Sequence, residues 1–167
     1  MDVEELLARE QIRALSGAYM RGLDRLDTSL LRAVFWDDAK TDYGFFKGSP
    51  DAFAEMCRMA LKDHLANHHM LGQINIEVEG ETAYGEVYFQ AFHRIVADGE
   101  ERDLIISGRY VDRYECRNGT WKIAYRSEVN DWSTNVPATD GYFRQQPDGL
   151  RGARKPDDAI YHVRDLA

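Results

Sequence analysis

A histidine pair stands in the stretch Asn67-His68-His69-Met70-Leu71-Gly72-Gln73, directly before the alternating run Ile74-Asn75-Ile76-Glu77-Val78. An imidazole that keeps its proton on one nitrogen is a base at the other, and a nearby carboxylate fixes which nitrogen carries it. With an unperturbed pKa of about 6.5, histidine suits proton transfer near neutrality. Asp24 closes the first helical pattern and is the carboxylate expected to meet one of these histidines at the mouth of a cone-shaped cavity. Plainer readings exist: a solvated helix end for Asp24, surface or core positions for the histidines. Tyr19 and Tyr43 read either as core rings or as hydroxyl donors to an oxyanion or a leaving group. Arg126 reads either as one half of a strand-face ion pair or as a pocket cation. His93 and Arg94 read as sheet-surface residues, and His64 and His162 as surface residues. Strict alternation puts His68, not His69, on the face of Ile74, Ile76 and Val78. A bulge near Gly72 would bring His69 onto that face instead.

Other chemistries lack their residues. There is no His-Glu-x-x-His, no Cys-x-x-Cys, no Gly-x-Ser-x-Gly and no glycine-rich phosphate loop. His64, His68 and His69 lack a carboxylate set at ligand spacing, so neither a metal nor a cofactor is expected. Cys57 and Cys116 are isolated thiols, expected to be reduced and structural, as in a cytoplasm. The net charge of −8 argues against nucleic acid and anionic membranes as partners. No run approaches the roughly 18 apolar residues of a membrane span, and the acidic start Met1-Asp2-Val3-Glu4-Glu5 is not that of a signal peptide. The 167 residues, 44% of them hydrophobic, suit one domain with a real core, and nine Tyr, seven Phe and three Trp suit a cavity lined with rings.

The elements that must position these groups follow from periodicity. Residues 2 to about 24 read as an amphipathic helix on Leu6, Leu7, Ile12, Leu15, Ala18, Tyr19 and Leu23. Asp27-Thr28-Ser29 offers cap oxygens for a short helix from Leu30 to about Phe35, and Lys40 to Tyr43 reads as a short strand. Ser49-Pro50-Asp51 opens a third helix that fades near Asp63-His64. From His69 onward the chain reads as long hairpins: Ile74 to Val78, Thr82 to Ala97, Arg102 to Cys116 and Thr120 to about Trp132. Asp98-Gly99 and Asn118-Gly119 mark two of the turns. Residues 1–132 are thus expected to form one α+β domain, a long curved antiparallel or mixed sheet covered by N-terminal helices. Residues 133–167 carry Pro137, Pro147 and Pro156 and read as a tail or cap, belonging to the same domain or exchanged with a neighbour. A short turn near Ala138 to Phe143 would let Tyr142-Phe143 cover a pocket or a neighbouring subunit. The runner-up fold is a helix-capped sheet with no cavity.

Over residues 5 to 132 the chain resembles the nuclear-transport-factor-2-like superfamily in its SnoaL-like branch, a cone-shaped α+β barrel. Four stretches carry the resemblance: Tyr19-Met20-Arg21-Gly22-Leu23-Asp24, Phe35-Trp36-Asp37-Asp38-Ala39, His69-Met70-Leu71-Gly72-Gln73 and Gly119-Thr120-Trp121-Lys122-Ile123. That branch includes hexachlorocyclohexane dehydrochlorinase, bile-acid 7α-dehydratase and scytalone dehydratase. The resemblance implies that His69 is a base and Asp24 the carboxylate that holds it, and that Tyr19, Tyr43 and Arg126 stand at positions of family site residues. Gln73 departs from the usual Asn, and the tail from residue 133 matches no part of the family pattern.

The expected function is a cofactor-independent lyase or isomerase for a small hydrophobic molecule, aromatic or polycyclic, acting by proton abstraction and elimination. The alternative is a non-catalytic ligand-binding or assembly subunit, such as the small subunit of an aromatic-ring dioxygenase. Apolar residues on both strand faces point to a covered outer sheet and a homodimer or homotrimer.

Overall fold

The computed structural model of the chain describes residues 2–139 and 141–163. Helix α1 spans Val3–Arg25 and starts where the Asp2 carboxylate accepts the Glu5 N–H at 2.8 Å, with Glu4 and Glu5 favourably placed in the first turn. Its buried stripe is Ala8, Ile12, Ser16, Tyr19 and Leu23, at helical spacing. Leu6 and Leu7, expected on that stripe, are exposed. The helix ends at Leu26, which takes a left-handed conformation. Helix α2, Thr28–Ala33, is capped by Asp27 and ends before Phe35. A Cβ on Gly22 would sit 3.0 Å from Leu31, so a residue without a side chain lets α1 and α2 meet. Helix α3, Pro50–Leu61, is capped by Ser49 with proline in the first turn, as its sequence predicts.

The strands are β1 (Phe35–Asp42), β2 (Lys47–Gly48), β3 (Ala66–Glu79), β4 (Thr82–Ala97), β5 (Glu100–Arg117) and β6 (Thr120–Pro137). They form one sheet in the order β2-β1-β6-β5-β4-β3. Every pairing is antiparallel except β1 with β6, which is parallel. The fold class is therefore α+β with a mixed sheet, open at both edges rather than closed into a barrel. The β1 strand starts at Phe35, earlier than expected, because the parallel pairing of Phe35 with Ile123 already draws it in. The β6 strand runs five residues past Trp132, since Arg102 to Ser107 of β5 continue to pair with it. Two hairpins turn through left-handed pairs, Asp98-Gly99 and Asn118-Gly119, the turn geometry that matches the twist of paired strands.

Bulges shape the inner face. Leu71 pairs with Phe89 and Ile74 with Val87, so Gly72 and Gln73 together oppose Tyr88. That extra residue keeps Asn67, His69 and Leu71 on the same side as Ile74, Ile76 and Val78, the side turned inward. The inner face packs against α1 and α3 through aromatic rings. Tyr43 stacks on Phe53 of α3 with centroids 4.4 Å apart, and Tyr19 of α1 meets Tyr110 of β5 edge-on at 5.3 Å.

The segment after β6 carries a short helix, α4 (Tyr142–Gln145), and a 3-10 turn at Ala159–Tyr161. Residues 151–161 strap across the end of α1. Arg25 donates to the Ala153 carbonyl at 2.9 Å, the Lys155 N–H donates to the Arg25 carbonyl at 2.8 Å, and Lys155 and Tyr161 both reach the Asp27 carboxylate. No helix among the described residues is long and apolar enough to cross a membrane.

Candidate active site

The end of α1 and the edge strand β3 bring Asp24 and His69 together across 45 positions of chain. One carboxylate oxygen of Asp24 accepts from His69 Nδ1 at 2.7 Å, and both oxygens accept from the His69 backbone N–H at 3.1 and 3.2 Å. The side chains are only 9% and 5% exposed. An ionised carboxylate has acceptors only, so its contact puts the ring proton on Nδ1 and leaves Nε2 as the free acceptor. His69 lines the apolar cavity and Asp24 does not, although both also border a second cleft beside His68, so the imidazole bridges from the carboxylate to the apolar cavity. His68, the other member of the pair, is exposed and faces the opposite side of the sheet.

The cavity has a volume of about 200 Å³ and a mostly apolar wall that includes Leu23, Phe53, Met56, Phe89 and Ile106. Phe45, 75% exposed, marks its opening. Tyr19 and Tyr43 are both in the wall and share a hydrogen bond between their hydroxyls at 2.7 Å. Burial raises both phenols well above the ordinary tyrosine range, and does the same to Tyr110. They are protonated donors. The cavity excludes the runner-up fold without one.

Arg126 is placed otherwise than a pocket cation would be. It lies behind the cavity wall, fully buried, with Nε and Nη2 bonded to the two oxygens of Asp112 at 2.8 and 2.7 Å. Its guanidinium is sandwiched between the rings of Tyr19 and Tyr110, 4.2 and 4.3 Å from their centroids. Tyr114 donates to the same carboxylate at 2.5 Å. Arg126 and Asp112 face each other across the β5–β6 ladder, so the charge is neutralised in place and props up two rings of the wall.

Three cavity residues escaped the sequence reading. His93, expected on the sheet surface, is 6% exposed and lines the cavity, its ring centroid 5.1 Å from that of His69. Burial foremost, with the neighbouring imidazoles of His69 and His64 and the Arg154 guanidinium disfavouring a further proton, pushes its pKa down to about 3. Alternation carries the signal: Val87, Phe89, Ala91 and His93 all point inward. Arg94, its neighbour, points the other way and pairs with Asp103 at 2.8 Å. Glu128 and Asn130 also line the cavity, two and four residues beyond Arg126 on the same strand face. Burial raises the Glu128 carboxyl, while the Asn130 hydrogen bond and the Arg126 charge oppose that rise. His64, expected at the surface, is half-buried with its Nδ1 2.9 Å from the Asn67 side chain. His162 is exposed, as expected. Cys57 is buried in the wall as a free thiol, and its pKa is pushed above the usual range by burial.

A family profile described as a SnoaL-like domain matches residues 4–127. An uncharacterized protein of Mycobacterium tuberculosis is 28% identical over 134 residues, covering 77% of this chain and 89% of its own. The hexachlorocyclohexane dehydrochlorinase LinA-type3 of Novosphingobium barchaimii LL02 superposes with a TM-score of 0.76 at 20% identity, over 83% of this chain and 97% of that one. A scytalone-dehydratase candidate from Novosphingobium aromaticivorans superposes with a TM-score of 0.72 at 22% identity, over 95% and 99% of the two chains. At these identities the solved structures speak for the fold.

Proposed function

Since the chain belongs to the SnoaL-like domain family, we propose that it is a cofactor-independent lyase or isomerase acting on a compact, hydrophobic molecule. The observation that carries this reading is the buried contact of His69 with Asp24, with the free edge of the imidazole turned to an aromatic cavity. His69 Nε2 takes a proton from a carbon made acidic by a neighbouring electron-withdrawing group. The C–H electron pair becomes the new double bond, and the leaving group departs with its own bonding pair. If the departing group is hydroxide, a wall donor protonates it to water; in an isomerisation the proton returns to a second carbon. Asp24 orients the ring and stabilises the imidazolium as it forms. The hydrogen-bonded hydroxyls of Tyr19 and Tyr43 suit an oxyanion or leaving group, and Arg126 acts behind them by holding the Tyr19 and Tyr110 rings.

The character of the wall supports the substrate class. Its phenols and His93 hold their uncharged forms, and Glu128 is pushed towards its own. An ionic substrate would give up its hydration for little return there. About 200 Å³ lies below the roughly 300–1,000 Å³ common for ligand pockets, which favours a molecule of one or two rings. An assembly subunit would have no need for a His–Asp contact at the wall of such a cavity. Tyr84, Val111, Val129 and Trp132, partly exposed on the sheet, support self-association as a homodimer or homotrimer, in a cytoplasmic setting.

The test is a panel of compact hydroxy-carbonyl and halogenated ring compounds incubated in D2O, with alkene formation and deuterium uptake at carbon followed by proton NMR. Turnover or exchange by the native protein that is lost in His69→Ala, with the far-UV circular dichroism unchanged, is the expected result. Exchange that persists undiminished in His69→Ala would overturn the assignment.

A further inference from the structure

The polar network on the far side of His93 from the cavity depends on one side chain of the C-terminal strap. Asn67 sits at its centre. Its amide has one atom facing His64 Nδ1 at 2.9 Å, His93 Nδ1 at 2.8 Å and the Ala66 carbonyl at 3.0 Å, and another facing the Arg154 guanidinium at 2.5 and 3.0 Å. A guanidinium has donors and no acceptor, so the amide atom it meets is the oxygen. The NH2 group is thereby turned to the two imidazoles. Its two protons are shared among His93, His64 and the Ala66 carbonyl, so both Nδ1 atoms are acceptors. Without Arg154 the amide is free to turn over. Its oxygen then accepts from Nδ1–H groups, and the tautomer of each ring is reversed.

We propose that Arg154 is a positioning residue which, through Asn67, holds His93 as an Nε2–H donor to the cavity. His93 belongs to the cavity wall, and its Nδ1 is the edge engaged by Asn67. The opposite edge therefore presents N–H, while His69, 5.1 Å away ring to ring, presents a bare nitrogen. One imidazole accepts a proton and the other gives a hydrogen bond, a division of labour that two like tautomers could not supply. It fits a substrate whose acidic carbon lies beside a carbonyl or hydroxyl oxygen, with the carbon at His69 and the oxygen at His93. Arg154 is itself held in register, because it donates to the backbone carbonyl of Asp24 at 2.5 Å and of Leu61 at 3.3 Å. The strap thus ties the backbone carbonyl of the residue that orients His69 to the amide that orients His93.

This deepens the lyase reading and rests on it only for the use made of His93; the tautomer can be measured in a protein that turns nothing over. The experiment is two-dimensional nitrogen–proton NMR of the full-length protein with 15N-labelled histidine, near neutral pH, on the native chain, Arg154→Met and Asn67→Asp. His93 is assigned by its loss in His93→Gln. The native spectrum is expected to show His93 with an unprotonated Nδ1 and a protonated Nε2. Arg154→Met is expected to shift it towards a mixture. Asn67→Asp, which replaces the amide donor by an acceptor, is expected to invert it. Thermal melts and circular dichroism report whether each variant is folded, and if Arg154→Met does not fold, Asn67→Asp alone decides. A native His93 already protonated on Nδ1, or a tautomer unmoved in the folded variants, would overturn the proposal whatever the enzyme assay shows. Once a substrate is known, Arg154→Met is expected to lower kcat more than it raises KM.

Discussion

Replacing His93 by glutamine should make the protein less sensitive to acid, by an amount that follows from where the ring sits. An unfolded chain protonates this imidazole below about pH 6.5. In the fold, burial foremost, with the adjoining imidazoles and the Arg154 guanidinium disfavouring a further proton, keeps it neutral down to about 3. Between those values the unfolded state binds the extra proton, so stability falls as the pH drops through that window. Each unit within it costs about 1.4 kcal/mol. At pH 5, roughly 1.5 units into the window, His93 alone costs about 2 kcal/mol, a sizeable part of the roughly 5–15 kcal/mol that holds a typical domain together. Glutamine does not titrate, and its carbonyl can still accept from the Asn67 amide. The assay is urea unfolding followed by tryptophan fluorescence at pH 7 and pH 5, with Trp121 as a buried reporter. The loss of unfolding free energy between the two pH values should be smaller in His93→Gln by about 2 kcal/mol. Equal losses in the two proteins would mean that His93 is not held neutral, and the burial argument would fail.

Two further substitutions probe the interior. Asp112→Ala strands the fully buried guanidinium of Arg126 and should cost about 3–5 kcal/mol in urea unfolding; adding Arg126→Met should restore much of that loss, and no recovery would show that the pair is not the source. Glu128→Gln should stabilise the fold at neutral pH. The raised carboxyl of Glu128 binds its proton more tightly in the folded state, so its cost grows as the pH rises above about 4.5. The gain should fade on acidification to pH 4, and a gain independent of pH would refute that cause.

The local signals in the chain were readable because they act over a few residues. Asp27 and Ser49 as caps, the left-handed turn pairs and the glycine bulge in β3 all depend on nearby atoms. The pairing of Asp24 with His69 came from the family pattern, since nothing local joins positions 45 residues apart. Arg126 illustrates the limit. An arginine in a strand looks like a surface residue or a pocket cation until the β5–β6 register sets Asp112 opposite it, and only then can it be buried. His93 was legible in principle from the inward run Val87, Phe89, Ala91, but its polarity outweighed that periodicity. Arg154 gave no sign at all. Its partners are an amide and two backbone carbonyls, reached only once the strap has folded back across α1.

The position of His69 on β3 gives Asp24 a second task. The β3 strand is an outer strand of the sheet, with one row of backbone groups facing away from β4, and such a row is a template for another chain. Asp24 takes up the outward N–H of His69, and Arg9 bonds the Ile76 carbonyl further along. Helix α1 therefore seals part of this free edge with side chains where a neighbouring strand would otherwise dock. The carboxylate that holds the imidazole also covers an edge N–H, so Asp24→Ala is expected to lower solubility as well as to release the His69 ring. Substituting His69, whose backbone N–H survives the change, separates the two.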